Sequence, residues 1–225
     1  MKKNSESKTL KNIKQAVLEG DMEGTPQLTE TAISQGLSAQ DILNKALTPA
    51  MSIVGEEYEN GVRYVPEMLI SAEAMKGALS KLRPLLAEAG VEPRGVIVIG
   101  TVEGDLHDIG KDLVAMMLEG AAFEVINLGV EVTADAFVQA VREHNPNILA
   151  MSALLTTTMI HMPEVVNALK ENGLRDQVKV IIGGAPVTQG YADKISADGY
   201  APDAASATKL AKSLYERCLK KSEGK

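Results

Sequence analysis

From residue 95 onward, short apolar runs alternate with helical stretches, and this alternation restricts the fold more than any other feature of the chain. GVIVIG (95–100), FEVINLG (123–129), ILAMS (148–152), KVIIG (179–183) and the short GYA (199–201) read as strands. Helical stretches separate them, so the order is β-α-β, which demands parallel strands with helices on both faces. Runs so nearly continuous in Val and Ile suit strands buried on both sides. Residues 203–221 form a last helix that turns Ala204, Ala207, Leu210, Ala211 and Leu214 inward. Ligands of such open sheets bind outside the carboxyl ends of the strands, which singles out the loops 100–110, 152–158 and 183–187.

Residues 9–89 carry almost no strand pattern. Leu10, Ile13 and Val17 recur at helical spacing; Thr25 before Pro26 predicts an N-cap and a first helical position, and Gly36 a stop. Ser38, Ala39, Gln40 and Asp41 resemble a capping box with Asp in place of Glu. Leu43, Ala46, Leu47, Ala50, Met51, Val54 and Tyr58 then trace one apolar stripe, with Pro49 inside it predicting a kink. Gly61 closes that segment. Pro66 opens a fourth helix whose stripe, Leu69, Ala72, Met75, Leu79, Leu82 and Leu86, runs to Gly90. The expected architecture is α/β: an N-terminal four-helix bundle over residues 1–90, a linker at 91–94, and a Rossmann-like (flavodoxin-like) five-stranded parallel sheet over 95–225.

With 45% hydrophobic and 24% charged residues, the 225-residue chain can bury a real core. Its 23 basic against 30 acidic residues leave a net charge of −7, which argues against a phosphate backbone or an anionic membrane as the main partner. No run approaches the ~18 apolar residues of a membrane span, and MKKNSESK lacks the apolar stretch of a signal peptide, so a cytoplasmic protein is expected. The single cysteine, Cys218, forms neither an internal disulfide nor a thiolate zinc site and reads as packing or surface. Two Phe, five Tyr and no Trp leave few stacking platforms for bases.

The loop after the first strand, GTVEGDLHDIGK (100–111), holds the most chemistry. It is not a phosphate loop: in GxxxxGK[ST] the glycines are five positions apart, whereas Gly104 and Gly110 are six apart and Asp112, not a hydroxyl, follows Lys111. Carboxylates in the loop would also repel an anion. His107, two residues after Asp105, has the pattern of a metal ligand whose second ring nitrogen is held by a carboxylate. On this loop alone a solvated His107 and a turn-forming Asp105 account for the same residues, and Glu103, Asp108 and Lys111 read as a solvated loop. Ser152, Thr156, Thr157 and Thr158 after the third strand, and Gly183, Gly184 and Ala185 after the fourth, leave a groove open to a long ligand tail. His144 reads as a surface residue at a helix end and His161 as exposed near a helix start.

These motifs carry a resemblance. Asp105-Leu106-His107-Asp108-Ile109-Gly110 matches the DxHxxG of cobalamin-binding domains of the methionine synthase type, Ser152-Ala153-Leu154 matches their SxL, and Gly183-Gly184 their GG. In size and layout the chain is similar to the stand-alone corrinoid proteins of methanol, methylamine, betaine and methoxyaryl methyltransferase systems. The resemblance implies cobalamin or a related corrinoid, with its cobalt, as cofactor, bound base-off/His-on. His107 would be the metal ligand, replacing the cofactor's own benzimidazole, Asp105 would hydrogen-bond its distal nitrogen, and Thr158 would continue the relay where the family often has Ser. Gly104, Leu106, Asp108, Ile109 and Gly110 would complete the cofactor-binding loop. Ser152, Thr156, Gly183 and Gly184 would line the slot for the displaced nucleotide tail, and Leu154 and Ala185 would also bind the cofactor. The helical half would be a cap, with Tyr64 over the upper face of the corrin and Met68 nearby, shielding the methyl group. Residues 91–94 would then be the hinge on which it moves aside.

The function so implied is a methyl-carrying corrinoid protein, not catalytic alone. It would accept a methyl group on cobalt from a substrate-specific methyltransferase and surrender it to an acceptor methyltransferase, with a reductive activation protein as a further partner and no nucleic acid or membrane. The chain has no zinc-ligand cluster and no further ~250-residue barrel to activate a donor or thiol, which leaves those tasks to partners. Two other readings stand beside it: a corrinoid sensor or storage module, which would show no turnover with methyltransferases, and the cobalamin-binding subunit of an adenosylcobalamin mutase. A receiver or flavin module fits poorly, since no Asp ends the third strand and few aromatics could sandwich a flavin.

Overall fold

A computed structural model describes residues 2–91 and 93–223, and the chain divides into two compact units, Met1–Arg94 with Glu119–Ala122, and Gly95–Leu118 with Phe123–Lys225. Glu92, one of the four expected hinge residues, lies outside the described residues.

The first unit is helical: α1 (Lys2–Glu19), α2 (Gly24–Ser34), α3 (Ala39–Ile42), a π-helical turn (Leu43–Leu47), α4 (Thr48–Glu59) and α5 (Val65–Glu88). Helix α1 packs on α2, α4 and α5, and α5 also packs on α2 and α4, which makes a bundle. Ile13, Val17, Ile42, Leu47, Val54, Met75 and Leu82 are among its fully or almost fully buried residues.

One local expectation is corrected. Helix α2 begins before Thr25, because the Asp21 carboxylate takes the Gly24 N–H (2.7 Å) and the Thr25 hydroxyl turns back to donate to the Asp21 carbonyl (2.6 Å). A charged acceptor at a positive helix end outcompetes a hydroxyl. The expected kink at Pro49 falls where the helical run changes its winding: it loosens to π over Leu43–Leu47, and Pro49 stands in the first turn of α4, which follows directly. The Ser38 cap is present, its hydroxyl accepting from Asp41 N–H (3.1 Å).

The second unit runs β1 (Val96–Thr101), α6 (Ile109–Gly120), β2 (Glu124–Asn127), α7 (Ala134–His144), β3 (Ile148–Ser152), α8 (His161–Glu171), β4 (Lys179–Gly183), α9 (Gln189–Ile195), β5 (Gly199–Ala201) and α10 (Ala204–Glu223). The sheet is all parallel, in the order β2-β1-β3-β4-β5. Successive strand side chains face opposite ways. Val98, Leu149, Met151, Val180 and Ile182 join one core cluster with Phe137 of α7 and Met162 and Val166 of α8, while Ile97, Ile99, Ile148 and Ile181 between them are buried too. Each such side chain contributes about 1.5–3 kcal/mol of burial.

Strand order decides where a ligand can enter. From β1 the chain goes outward to β2 on one side, and β3 lies on the other, so the loops after β1 and β3 diverge and leave a crevice at the carboxyl edge. At the opposite edge Asp198 locks β4, accepting from Val180 N–H (2.8 Å), Arg175 (2.8 Å) and Lys179 (2.8 Å). Among the described residues no helix is long and apolar enough to cross a membrane.

Candidate functional site

The loop between β1 and α6 is pinned from both sides before any side chain is considered. Thr101, the last residue of β1, is buried and its hydroxyl donates to the His107 carbonyl (3.0 Å). Val102 N–H donates to the Ser152 carbonyl (3.0 Å), which binds the loop to the end of β3. Gly104 turns the chain at φ +75°, where an L side chain would be strained.

Asp105 is thereby carried into the crevice, where its side chain is fully buried. One oxygen, Oδ1, accepts from the His107 N–H (3.1 Å) and lies 2.7 Å from His107 Nδ1. The other, Oδ2, accepts from the Leu154 N–H (2.8 Å) and the Thr158 hydroxyl (2.6 Å). Burial alone would raise its pKa. The bonds from Thr158, Leu154 and His107 outweigh that and hold the carboxyl well below the usual carboxylate range.

A carboxylate can only accept, so the network assigns the His107 proton to Nδ1 and leaves the Nε2 lone pair free. The ring is half-exposed (51%), with one nitrogen anchored and the other available to a metal. Among the described residues no three His, Cys, Asp or Glu side chains gather into a metal cage, so a metal here would need most of its ligands from a bound group. The loops that carry His107 and the donors to Asp105 also expose apolar side chains: Leu106 is 66% exposed, Ile109 76%, Leu154 42%, Leu155 43% and Ile160 56%.

The groove predicted between the loops after β3 and β4 is tightly built. Ser152 and Gly183 are register partners. Ala153 N–H donates to the Gly183 carbonyl (3.2 Å), and Tyr191 Oη of α9 donates to the Met159 carbonyl (2.7 Å), tying the two loops together. A Cβ on Gly184, at φ +120°, would stand 1.9 Å from the Ala153 carbonyl oxygen, and one on Gly183 3.0 Å from that of Ala201. Ser152, Gly183 and Gly184 are half-buried, and Thr156 and Ala185 exposed.

Other candidates are placed as follows. Gly104, Asp108, Gly110 and Glu103 are exposed on the loop. Lys111 is corrected: its side chain is 1% exposed, not solvated, because Asn127 and Asp112 receive its ammonium. Tyr64 is 70% exposed at the start of α5, its N–H donated to the Glu67 carboxylate (2.8 Å), and Met68 is fully buried. His161 is half-buried and paired with Glu164 (2.7 Å). Sequence reasoning missed the Leu154 N–H, the Thr101 hydroxyl and the exposed Leu155 and Ile160. A backbone donor leaves no sequence signal, but apolar residues in an otherwise hydroxyl-rich loop did.

Comparison with known proteins agrees on one family. A family model described as "B12 binding domain" matches residues 95–209, and a second with that description matches residues 9–83. The chain is 41% identical over 208 residues to a corrinoid protein of Desulfitobacterium hafniense, covering 91% of this chain and 96% of that one. To a trimethylamine corrinoid protein of Methanosarcina acetivorans it is 42% identical over 202 residues, covering 89% and 94%. Its structure is similar to a chain of the methanol:cobalamin methyltransferase complex of Methanosarcina barkeri, with TM-score 0.83, 31% identity, and coverage of 93% of this chain and 80% of that one.

Proposed function

The chain belongs to the B12-binding domain family, with a corrinoid as its cofactor, and from that premise we propose that it is a methyl carrier working between methyltransferases. The observation that carries the proposal is the Thr158–Asp105–His107 relay at the β1/β3 crevice, which leaves one imidazole nitrogen free on a loop that also exposes apolar side chains. The relatives' names support it: the one from Methanosarcina acetivorans is a trimethylamine corrinoid protein.

The residues fit the cofactor in three respects. His107 would offer one ring nitrogen to the metal; Leu106, Ile109 and Leu154 are exposed apolar side chains that would meet the macrocycle; and Ser152, Thr156, Gly183, Gly184 and Ala185 would offer hydroxyls and bare backbone to a tail. When bound, the corrinoid would supply a cobalt centre able to take up a methyl group and give it up again.

The chain's own part is to hold and release one ligand. Asp105 keeps the proton on Nδ1 and orients the ring, and Thr158 and the Leu154 N–H keep Asp105 charged and immobile. Were Nε2 to hold the metal, Asp105 would steady the ring from its far side, with the proton kept on Nδ1. In the helical unit, Tyr64 is an exposed aromatic and would be the residue that shields the methyl group. The partners are a substrate-specific methyltransferase, an acceptor methyltransferase and a reductive activation protein.

The test reconstitutes protein carrying 15N-histidine with hydroxocobalamin and reduces it by one electron for EPR. A His107 ligand turns the nitrogen superhyperfine triplet into a doublet, and His107→Ala abolishes the change. A triplet in the labelled wild type overturns the His-on reading. Methylated holoprotein is then mixed with a methylamine- or methanol-class methyltransferase. Methyl transfer supports the carrier, and no turnover with any such enzyme favours the sensor.

A further inference from the structure

One charged side chain is buried in the second unit without a part in the chemistry above. Lys111, in the first turn of α6, donates to Asn127 Oδ1 (2.8 Å) and to the Asp112 carboxylate. Asn127, the last residue of β2, closes the ring by donating from Nδ2 to Asp112 (2.8 Å), and its Oδ1 also accepts from the Gly129 N–H (3.0 Å). From there the bonds run inward to the site. The Gly129 carbonyl accepts from the Thr101 N–H (3.0 Å), Glu131 N–H donates to the Asp105 carbonyl (3.1 Å), and the Thr101 hydroxyl holds the His107 carbonyl (3.0 Å). Glu131 sits at φ +53°, a conformation that a residue with a side chain keeps where its surroundings hold it.

Burying an ammonium costs free energy, and pairing it seldom returns a net gain in stability over an apolar residue of similar size. Stability is therefore a poor reason for Lys111, whereas the bonds leading from it to Asp105 and His107 give it a task. We propose that Lys111 is a positioning residue for His107: through Asn127 it fixes the 128–131 loop, which fixes the backbone that carries the imidazole and its carboxylate. The consequence for cofactor binding rests on the His-on reading; the positioning itself does not.

Lys111→Met, Asn127→Ala and the conservative Lys111→Arg are compared with wild type as full-length chains in two measurements. In the cofactor-free protein, amide exchange at 101–107 and 128–131 is expected to accelerate about tenfold or more in K111M and N127A, while β3 and β4 keep wild-type protection. With aquacobinamide, which has no nucleotide tail and so reports the axial ligand and not the slot, Kd is expected to rise about tenfold, as for other groups that orient a metal ligand. K111R restores most of both. Should K111M fail to fold, N127A carries the same comparison, because it leaves the ammonium its partner Asp112. Unchanged exchange in the two loops, or acceleration spread evenly through the sheet, overturns the proposal. If His107→Ala binds aquacobinamide as tightly as wild type, it is the His-on reading that fails, and the exchange result alone then decides the role of Lys111.

Discussion

Asp105 accepts four hydrogen bonds, two of them from a loop some fifty residues further along the chain, and this sets what substitutions at the site will do. Thr158→Ala leaves a buried charged acceptor one donor short. The cofactor-free protein should lose about 1–3 kcal/mol in urea unfolding, and Thr158→Ser should recover most of it. A wild-type urea midpoint for Thr158→Ala would show that the hydroxyl is idle. Gly184→Ala places a methyl group against the Ala153 carbonyl at a φ that L residues avoid, so it should cost at least about 1–3 kcal/mol even without cofactor. A wild-type urea midpoint for Gly184→Ala would refute that placement. The glycine pair was legible in the sequence as room for a ligand. That Gly184 is required first by loop-to-loop packing was not, because the residue it meets belongs to the preceding strand's loop.

At the scale of elements, the strands were legible because parallel strands buried on both faces are written as unbroken Val/Ile runs, and β1, β3 and β4 fall where those runs are. Helix starts were less legible, since Asp21 and Thr25 both offer an acceptor and only their geometry chooses. The clasp on β4 gives a pH prediction. Burial would raise the Asp198 pKa, but the bonds from Lys179 and Val180 and the charges of Arg175 and Lys179 bring it below its ordinary value. A carboxyl lowered in the folded state contributes stability that is complete above the unfolded pKa of about 4 and is lost as pH falls through the native value. Asp198→Asn should therefore lower the urea midpoint at pH 7, with the difference from wild type shrinking below about pH 4. A difference that stays constant down to pH 3 would show that the charge has no part in it.

For the whole molecule, the site gathers at one edge of the sheet and the Asp198 clasp at the other, so cofactor binding should leave an uneven footprint. Amide exchange on adding hydroxocobalamin is expected to slow at 102–108, 152–158 and 183–187, with no change around Asp198 and the start of β4. Equal protection at both edges would be inconsistent with a ligand at the carboxyl ends. Hydrophobic periodicity acts between neighbours in sequence, and it was enough to determine the alternation of elements, the helical first half and the three loops worth reading; short motifs then singled out His107, Asp105 and the glycine pair. Which groups meet across those loops is a matter of strand order. Only the placement of β3 beside β1 brings the Leu154 N–H and the Thr158 hydroxyl onto Asp105, and only the pairing of β2 with β1 buries Lys111 against Asn127. Contacts between residues far apart in the chain leave no periodic trace: the family resemblance implied the link from Asp105 to Thr158, whereas the Leu154 N–H on Asp105 and the burial of Lys111 against Asn127 came from the tertiary structure alone.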